Sequence, residues 1–481
     1  MAAEIPNRYG YFVDGEPRQP NRNVSVRDPS TNEEIATIPE AGPRGVDAAL
    51  ESAVAVEDEW RAHDAVERGR LLRALADRIR EDADRLAATE TMEVGRPLSE
   101  SHDNVEGAAG LFEYYAGLTD KIEGRQIPLA NDGSYLDYTL REPYGTTAQV
   151  VPWNASIALA ARGFAPALAA GNTVVAKAPS RAPLSLLELT KLAHEVGFPA
   201  GVVNTVTGSG SGTGDPLVTD DRVDAIEFTG STTTGKNVMQ SAAEHVSDVH
   251  LELGGKGANI VFEDADLEGA VASVIETFNN AGQICFAPTR LFVQSGVYDD
   301  FLDRVVARVE AMEVGPGIAD PDMGPVISPS ARDTVAEFVE DARRQGGRVL
   351  TGGEVPREPG NFYAPTLIAG VDDDARVSCE EVFGPVITVY EFDTPEEAVE
   401  RANDTRYGLS NLVWTTDLAT AHSVAGGLES GTVQVNDYPV LSPAAVSGGY
   451  KESGLGRAKG MQAIETFTQS KNVAISLDGV L

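Results

Sequence analysis

The sequence predicts an α/β fold with two parallel-sheet domains in tandem and a small β arm. The chain has 481 residues, which is too many for one ordinary hydrophobic core. From Thr146 onward, short β-branched runs alternate with segments of helical periodicity, and this alternation is typical of parallel strands joined by crossover helices. Two further segments have strand composition without a neighbouring helix, which predicts the arm.

The first sheet is predicted from five short runs, "TAQVV", "TVVAK", "VVNTV", "AIEF" and "VHLEL". Helices are predicted between them, near Ile157 to Ala169, from Ser185 to Val196 and from Gly235. Before this sheet, apolar residues recur at helical spacing between Arg44 and Asp120. They predict two or three amphipathic helices that open the chain and cover the sheet.

A second alternating series runs from Gly254 to about Ser430. It opens with the strand "ANIVF", a helix from Leu267 to Asn280, the strand "TRLFV" and a helix from Tyr298 to Ala311. The segments "SYLDYTLREPYG" and "NVAISL" have strand composition alone. They predict an arm that pairs with another part of the assembly.

The charge of the chain excludes some classes of partner. Acidic residues outnumber basic ones 74 to 38, which gives a formal net charge of −36 spread along the sequence. Such a charge argues against a nucleic-acid partner and suits a high-salt cytoplasm. The N-terminal "MAAEIPNRYG" lacks the layout of an export signal, and two cysteines cannot form a disulfide framework. The longest segment without charged residues, Pro143 to Ala161, is interrupted by polar residues, so we expect a soluble cytoplasmic protein without a membrane partner.

One of the two cysteines, Cys285, lies in the apolar run "NNAGQICFAPTR". It follows a predicted helix through Gly282, and such a junction can present a thiol to a cleft. From these residues alone, a buried and inert cysteine is the favoured interpretation, because free cysteines are commonly buried and unreactive. Cys379 lies among carboxylates that would raise its pKa, so it is the weaker nucleophile. None of the six His lies in a comparable stretch, and a papain-like hydrolase gets little support.

Two polar side chains near predicted strand ends are candidates to assist a thiol. In "VHLELGGKG", strand alternation places His250 and Glu252 on one face, and the glycine pair ends the strand at the sheet edge where α/β proteins bind ligands. Glu252 is therefore either a solvent-facing carboxylate or a base. In "VVPWNASIALA", Asn154 is either a helix cap or an amide that donates to an oxyanion.

Nucleotide-binding signals are individually weak. "FTGSTTTGK" places Gly230 and Gly235 at a strand-to-helix turn, where backbone N–H groups favour a phosphate, but any tight turn needs glycine. "TGSGSGTGD" fits neither the G-x-G-x-x-G pattern nor the P-loop. Lys177 ends the strand "TVVAK", from which its amine could reach a ribose or a phosphate.

Together these segments resemble one family. "PWN", "GNTVVAKAPS", "FTGSTTTGK", "LELGGK", "GQIC", "EEVFGPV", "NDTRYGLS" and "GGYKESGLGR" occur in this order, and the chain resembles the NAD(P)-dependent aldehyde dehydrogenase superfamily over nearly its whole length. The resemblance implies two Rossmann-like domains, one that binds the dinucleotide (1–122 and 143–253) and one that is catalytic (254–450). Residues 123–142 and 451–481 would form an oligomerisation arm and C-terminal segment of a homodimer or homotetramer, and no metal is expected.

The resemblance also implies roles for individual residues. Cys285 would add to the aldehyde carbon while Asn154 and the Cys285 backbone N–H hold the oxyanion. The thiohemiacetal would then pass a hydride to the nicotinamide, and Glu252 would be the general base for hydrolysis of the thioester. The positions that match the dinucleotide groove of the family are Trp153, Lys177, Gly208, Gly230, Ser231, Glu381 and Phe383.

One departure from the family pattern bears on the cofactor. Many members that prefer NAD carry Glu three residues after the lysine that ends the strand, where this chain has Ser180. The change removes repulsion against a 2′-phosphate, which Arg181 and Lys177 could attract. The sequence therefore favours NADP over NAD.

Arg162 bears on the substrate because it is the only charged residue between Pro143 and Ala176. It is either a side chain that extends to the surface or, as its position resembles one in succinate-semialdehyde dehydrogenases, an anchor for a substrate carboxylate.

A second arginine of that branch is missing, since Asn279 and Asn280 stand there. This favours a longer semialdehyde with more polar atoms for Asn or Ser donors, with 2,5-dioxopentanoate (2-oxoglutarate semialdehyde) as the best guess. Succinate semialdehyde or a broad range of aldehydes is the alternative, and a cysteine esterase without redox turnover is the alternative from another class. The tunnel mouth near Ser442 to Ser447 also departs from the family pattern.

Overall fold

The computed structural model describes residues 5–20, 22–129, 134–439 and 442–477. The first four residues of the segment compared with export signals lie outside these ranges. So do residues 130–133 of the predicted arm and the last four residues of the predicted C-terminal segment. Within the described ranges, two large sheets built mainly of parallel strands confirm the predicted α/β fold.

In chain order, the strands are β1 (Tyr11–Val13), β2 (Glu16–Arg18), β3 (Asn23–Arg27), β4 (Glu34–Pro39), β5 (Tyr135–Pro143), β6 (Thr146–Val150), β7 (Thr173–Lys177), β8 (Val203–Val206), β9 (Ala225–Thr229), β10 (Asp248–Glu252), β11 (Ala258–Val261), β12 (Arg290–Gln294), β13 (Arg348–Thr351), β14 (Thr366–Ala369), β15 (Val386–Phe392), β16 (Tyr407–Gly408), β17 (Ser410–Trp414), β18 (Thr432–Val435), β19 (Tyr450–Lys451), β20 (Gly454–Leu455) and β21 (Thr468–Ser476).

The α-helices are α1 (Gly42–Ala62), α2 (Ala65–Glu81), α3 (Ala83–Val94), α4 (Leu98–Ala116), α5 (Ser156–Ala170), α6 (Leu184–Glu195), α7 (Asp215–Val218), α8 (Thr232–Ala242), α9 (Leu267–Glu276), α10 (Tyr298–Glu310), α11 (Pro329–Arg344), α12 (Arg376–Cys379), α13 (Pro395–Asn403), α14 (Leu418–Gly427) and α15 (Gly460–Thr466). Within the described residues, no helix is both long enough and apolar enough to cross a membrane.

The first sheet has the strand order β2-β1-β8-β7-β6-β9-β10-β20. Its five central strands are parallel and correspond to the five predicted runs, because buried parallel strands are rich in β-branched residues. Strands β1 and β2 extend the sheet antiparallel at one edge. They were not predicted because they span only three residues each, too few to show alternation.

Four helices, not two or three, come before the central strands of this sheet, and they do not open the chain, because β1 to β4 come first. α2 and α4 pack with α5 around one apolar core that includes Trp60, Phe112 and Phe164, each at most 2% exposed. This core supports α5, the helix that begins just after Asn154.

The second sheet has the order β13-β14-β15-β12-β11-β17-β18, and all its pairs are parallel except β13 with β14. The predicted helix from Leu267 to Asn280 is shorter in the structure, where α9 ends at Glu276. A short 3₁₀ turn follows, and it leads to Cys285.

The two predicted arm strands pair with each other, since β5 and β21 form an antiparallel ribbon from Tyr135↔Ser476 to Pro143↔Thr468. The segment before β21 differs from the predicted division. Strand β20 joins the first sheet beside β10, and α15 packs on α5 in the first core. Residues 454–467 therefore belong with the first sheet, and they cover its edge beside Glu252.

Candidate active site

Three parallel neighbours, β6, β9 and β10, end side by side at one edge of the first sheet. Asn154 comes shortly after β6, Thr229 ends β9 and Glu252 ends β10. The carboxyl edge of a parallel sheet is where such folds bind ligands, because strand ends and helix N-termini meet there. The strand order therefore gathers side chains that are far apart in the sequence.

The segment before Cys285 has an unusual backbone. Asn280, Ala281 and Gly282 have φ values of 49°, 53° and 70°, so three successive residues are left-handed. This conformation suits Gly and Asn, but for Ala281 it costs about 1–2 kcal/mol. Periodicity could not reveal this turn, because Asn280 and Ala281 also fit a helical pattern.

Side chains from distant elements hold this turn. The carboxylate of Glu100, on α4, accepts the Asn280 backbone N–H at 2.9 Å. The Asn280 side-chain amide donates to the Asn154 backbone oxygen at 3.0 Å, and Gln283 Oε1 accepts the Ile327 backbone N–H at 2.8 Å. Asn280 is fully buried and bonded to backbone, so it cannot serve a substrate as a free donor, whereas Asn279 stays partly exposed.

Asn154 does not cap α5, because the N-cap position is Ala155 and no side chain bonds the first turn. Instead, its side-chain Nδ2 donates to the Gln283 backbone oxygen at 2.9 Å. This contact points the amide at the segment that carries Cys285. An amide nitrogen has two hydrogens, so one remains for a further acceptor.

Cys285 lies in partly exposed chain and carries one of the two free thiols within the described residues. Burial of the sulfur raises the pKa of Cys285 to about 12; Arg162 acts in the opposite direction, and Glu252 and Glu381 raise it further. The sulfur is therefore a thiol at neutral pH, and a base must remove its proton before it can attack a carbonyl.

Glu252 is only 4% exposed and belongs to a cluster of buried charges. Its carboxylate lies 3.6 Å from Arg162 Nη1 and 3.6 Å from His250 Nε2. Burial alone would raise the pKa of Glu252, but Arg162, His250 and Lys459 outweigh it and hold the pKa below the usual value. Glu252 is therefore ionised at neutral pH, as a general base must be.

Arg162 is 8% exposed and does not extend to the surface. Its Nη2 donates to Thr229 Oγ1 at 2.7 Å and lies 4.0 Å from Glu227 Oε1, while its Nε has no hydrogen-bond partner among the described residues. The guanidinium thus faces the same edge as Glu252. The positive charge of Arg162 is therefore already paired with two side-chain carboxyl groups, those of Glu252 and Glu227.

Lys177, Ser180 and Gly208 lie together at the ends of β7 and β8. Lys177 Nζ reaches Ser180 Oγ at 3.4 Å, and Ser180 Oγ donates to the Gly208 oxygen at 2.8 Å. Gly208 has φ +146°, and a Cβ there would lie 2.2 Å from Thr213 Oγ1, so the position requires glycine. Burial lowers the pKa of Lys177 to about 8. A buried amine with a single long hydrogen bond fits an incoming phosphate or ribose oxygen.

Glu381, Phe383 and Trp153 lie nearer to Cys285. Glu381 Oε1 accepts the Gly255 N–H at 3.1 Å, and burial raises the pKa of Glu381 to about 7. A Cβ on Gly255 would lie 2.3 Å from the Cys285 oxygen, so this glycine lets the two segments touch. The rings of Trp153 and Phe383 meet edge to face at 5.5 Å. These residues would hold the reactive end of a dinucleotide.

The four remaining predicted cofactor residues do not share one environment; they are Gly230, Ser231, Gly235 and Arg181. The Ser231 hydroxyl accepts the Thr234 N–H and caps α8, and the Gly230 N–H donates to the Glu252 backbone oxygen at 3.1 Å. Gly235 lies inside α8, where a Cβ would meet Leu253 at 2.5 Å, so it serves close packing. Arg181 is exposed, and its Nη2 lies 3.5 Å from Ser330 Oγ at the start of α11.

The structure adds residues that were not predicted from the sequence. Glu227, on β9, belongs to the Arg162 cluster, and Glu100 holds the turn before Cys285. Glu227 is the only charged residue in the predicted strand "AIEF", and this isolated charge was the sequence feature that could have identified it. Nothing in the sequence distinguished Glu100 from other acidic residues. Among the described residues, no group of three or more His, Cys, Asp or Glu side chains could hold a metal ion.

Comparison with known proteins gives a consistent result. Residues 16–473 match the model of the "Aldehyde dehydrogenase family". A betaine aldehyde dehydrogenase from Cereibacter sphaeroides is 42% identical over 477 residues, which cover 98% of each chain. A hydroxyisobutyraldehyde dehydrogenase from Mycolicibacterium austroafricanum is 39% identical, over 97% of this chain and 94% of its own. The NAD+ complex of an aldehyde dehydrogenase from Bacillus cereus superposes with a TM-score of 0.96 at 38% identity, over 98% of this chain and 97% of its own.

The lowered pKa of Lys177 predicts how dinucleotide binding depends on pH. The amine loses its charge as the pH rises through about 8, so the Kd for the dinucleotide should rise between about pH 7 and about pH 9. Fluorescence titration across this range measures the effect. In Lys177→Met this part of the pH dependence should disappear, while Lys191→Met, a change at an exposed lysine of α6, should retain it. An unchanged profile in Lys177→Met would contradict the assignment.

Proposed function

The chain belongs to the aldehyde dehydrogenase family and is an NAD(P)-dependent oxidoreductase, and from this premise we propose that Cys285 is the nucleophile that binds the aldehyde during oxidation to the acid. One observation carries the proposal. The Cys285 segment meets both Asn154 and the carboxyl edge of the first sheet, where Glu252 lies ionised. A thiol, an amide donor and a base are thus available to one carbonyl group.

In the proposed first half-reaction, Glu252 takes the proton of Cys285, directly or through a water molecule, and Sγ forms a bond with the aldehyde carbon. The carbonyl oxygen becomes an oxyanion, which the second hydrogen of Asn154 Nδ2 and the Cys285 backbone N–H stabilise. The dinucleotide, held by Lys177 and the residues near Glu381, supplies the hydride acceptor. Cys285 is left as a thioester.

In the proposed second half-reaction, a water oxygen adds to the thioester carbon while Glu252 accepts one of the water protons. The same two N–H donors stabilise the oxyanion a second time. The C–S bond then breaks, the acid leaves, and the Cys285 sulfur regains a proton. Each half-reaction therefore needs an ionised Glu252.

Replacement of Cys285 by Ala should lower aldehyde oxidation roughly a thousandfold or more while the dinucleotide still binds, because only the nucleophile is lost. Absorbance of the reduced nicotinamide measures the oxidation. Cys379→Ala removes the other thiol as a matched control and should leave the rate unchanged. Retained oxidation in Cys285→Ala would move the nucleophile elsewhere, and ester hydrolysis by wild type without any aldehyde oxidation would favour the esterase alternative.

We propose that the enzyme prefers NADP. Ser180 carries no charge, and its hydroxyl lies between Lys177 and Gly208, so no carboxylate at this position repels a 2′-phosphate. The amine of Lys177 is close enough to attract one. Arg181 is exposed and could turn from Ser330 toward the same phosphate.

Ser180→Glu should change the ratio of kcat/KM for NADP to that for NAD by at least about tenfold in favour of NAD, about 1.4 kcal/mol. Ser180→Gln has nearly the same size without the charge and controls for bulk. Steady-state kinetics with both dinucleotides give the ratio. If the glutamate and glutamine variants shift it equally, the charge argument is wrong.

For the substrate, we propose a small aldehyde that bears a carboxylate, specifically 2,5-dioxopentanoate. Arg162 supports it, because its guanidinium faces the edge that holds Glu252 and retains an Nε without a partner among the described residues. The partly exposed Asn279 adds a polar donor in the segment before Cys285. The broad-range alternative has its own support, since Glu227 and Glu252 already share the charge of Arg162.

Arg162→Gln separates these alternatives. If Arg162 binds a substrate carboxylate, KM should rise at least about tenfold for 2,5-dioxopentanoate and succinate semialdehyde and change little for an uncharged aldehyde of similar length. Steady-state kinetics on the three aldehydes measure this. An equal loss on all of them would instead assign Arg162 to the positioning of Glu252.

We also propose a cytoplasmic homodimer or homotetramer joined through the arm. The β5–β21 ribbon exposes Tyr135, Leu136, Leu140 and Ile475, each more than a third accessible in the single chain. A two-stranded ribbon is not stable alone in water, and pairing with a second copy would bury these side chains.

A further inference from the structure

Glu227 and His250 are directly opposite each other on the parallel strands β9 and β10. Glu252, two residues after His250, projects to the same face, because strand side chains alternate. The side chains of Glu227, His250 and Glu252 are 5%, 4% and 4% exposed. Three titratable groups therefore form a buried row that leads away from the reacting thiol.

The imidazole lies between the two carboxylates. His250 Nε2 is 3.6 Å from Glu252 Oε1, and His250 Nδ1 is 3.9 Å from Glu227 Oε1. Both ring nitrogens, Glu252 Oε1 and Glu227 Oε2 have no hydrogen-bond partner within the described residues. Buried polar atoms without partners are costly, and they commonly mark a functional site. Catalytic contacts of this length often shorten when substrate binds.

Two glycines make room for this row. A Cβ on Gly163, in α5, would clash with Glu227 Oε2 and with Gln149 Oε1 beside it, and one on Gly456, just after β20, would lie 2.5 Å from His250 Cδ2. The backbones of α5 and of the C-terminal segment therefore close directly over the carboxyl and the imidazole. Any side chain at either position would push these groups away.

The other titratable side chains around the row come from four elements. Arg162 from α5 lies near both carboxylates, and Tyr115 from α4 faces Glu227 and Arg162 while its hydroxyl donates to the Gly460 oxygen. Lys459, before α15, and Cys285 complete the set. Burial raises the pKa of Glu227, while the pKa of Glu252 is lowered despite burial. The two carboxyls thus differ in proton affinity across one imidazole.

The proposed function requires Glu252 to lose a proton within each turnover, and the neighbouring imidazole of His250 can accept that proton. Glu252 accepts a proton twice in each turnover, first from the Cys285 thiol and then from the attacking water. Between these events it must lose the first proton. Its carboxylate is almost completely buried, so direct exchange with bulk water is slow while substrate covers the site.

We propose that His250 takes the thiol proton from Glu252 after the first half-reaction, and that Glu227 stabilises the resulting imidazolium. This inference rests on the proposed function. The O–H bond at Glu252 Oε1 breaks and an N–H bond forms at Nε2, so Glu252 is ionised again when water attacks. In the second half-reaction Glu252 takes the water proton, and one of the two stored protons returns to the Cys285 sulfur. The other leaves when the product departs.

The first test compares His250→Gln with wild type in rapid-mixing experiments that follow the reduced dinucleotide. The variant should give a burst that approaches one reduced dinucleotide per subunit, followed by a steady state at least about tenfold slower than wild type. The steady state should speed up as the pH rises, because hydroxide then removes the proton. His194→Gln is the matched control, since His194 is a partly buried histidine that stacks on Phe12 of β1, near the opposite edge of the first sheet from β10.

Two further variants separate a relay from a purely structural role. The double variant Glu227→Gln/His250→Gln should be no slower than His250→Gln alone, because Glu227 acts through the imidazole. Gly163→Ala removes no titratable group but displaces the Glu227 carboxyl, and it should show the same burst with a slower steady state. Thermal unfolding and dinucleotide binding show whether His250→Gln folds. If it does not, Gly163→Ala replaces it in the test.

Several results would overturn the relay: an equal fall of burst rate and steady-state rate, additive losses in the double variant, or a steady state in His250→Gln within about twofold of the His194→Gln control. These results can be distinguished from a failure of the proposed function itself. If wild type produces no reduced dinucleotide from any aldehyde, the function is wrong. If wild type turns over normally and only the His250 and Gly163 results fail, the relay alone is wrong.

Discussion

The hydrogen bond from the Asn154 side-chain amide to the Gln283 backbone oxygen joins the two sheets of this protein at the proposed catalytic site. It connects the carboxyl edge of the first sheet to the segment that carries Cys285. The left-handed turn before Cys285 costs free energy at Ala281, about 1–2 kcal/mol. Hydrogen bonds to Glu100, Asn154 and Ile327 offset this cost. The segment that carries Cys285, the proposed nucleophile, is thereby held against the strand ends.

The electrostatics of the site follow from one buried cation shared by two carboxylates. Arg162 lies 3.6 Å from Glu252 and 4.0 Å from Glu227, yet the pKa of Glu252 is lowered and that of Glu227 is raised. The closer contact to Arg162 and the contact with His250 favour the ionised form of Glu252, while burial dominates at Glu227. Glu252 therefore has the lower proton affinity of the two carboxyls and is the one held ready to accept a proton.

The sequence alone predicted the parts of the fold that have a local signal. The five central strands of the first sheet and the strands β11 and β12 of the second appear as β-branched runs, and alternation in "VHLELGGKG" correctly placed His250 and Glu252 on one face. Local sequence patterns do not predict contacts between residues that are far apart in the sequence. Glu227 and Arg162 meet Glu252 only because β9 and β10 are neighbours and α5 packs beside them, which no run of residues reveals. The turn after α9 was missed because Asn280 and Ala281 fit a helical pattern until tertiary hydrogen bonds impose a left-handed backbone.

The most direct measurement of the central claim is the chemical state of Cys285 during turnover. Wild-type enzyme mixed with an aldehyde and the dinucleotide can be quenched in acid, digested and weighed by mass spectrometry, since thioesters survive at low pH. The account predicts that the peptide containing Cys285 gains the mass of the acyl group, and that this adduct requires the dinucleotide. An acyl group on another residue, or active turnover in which Cys285 never carries one, would contradict it.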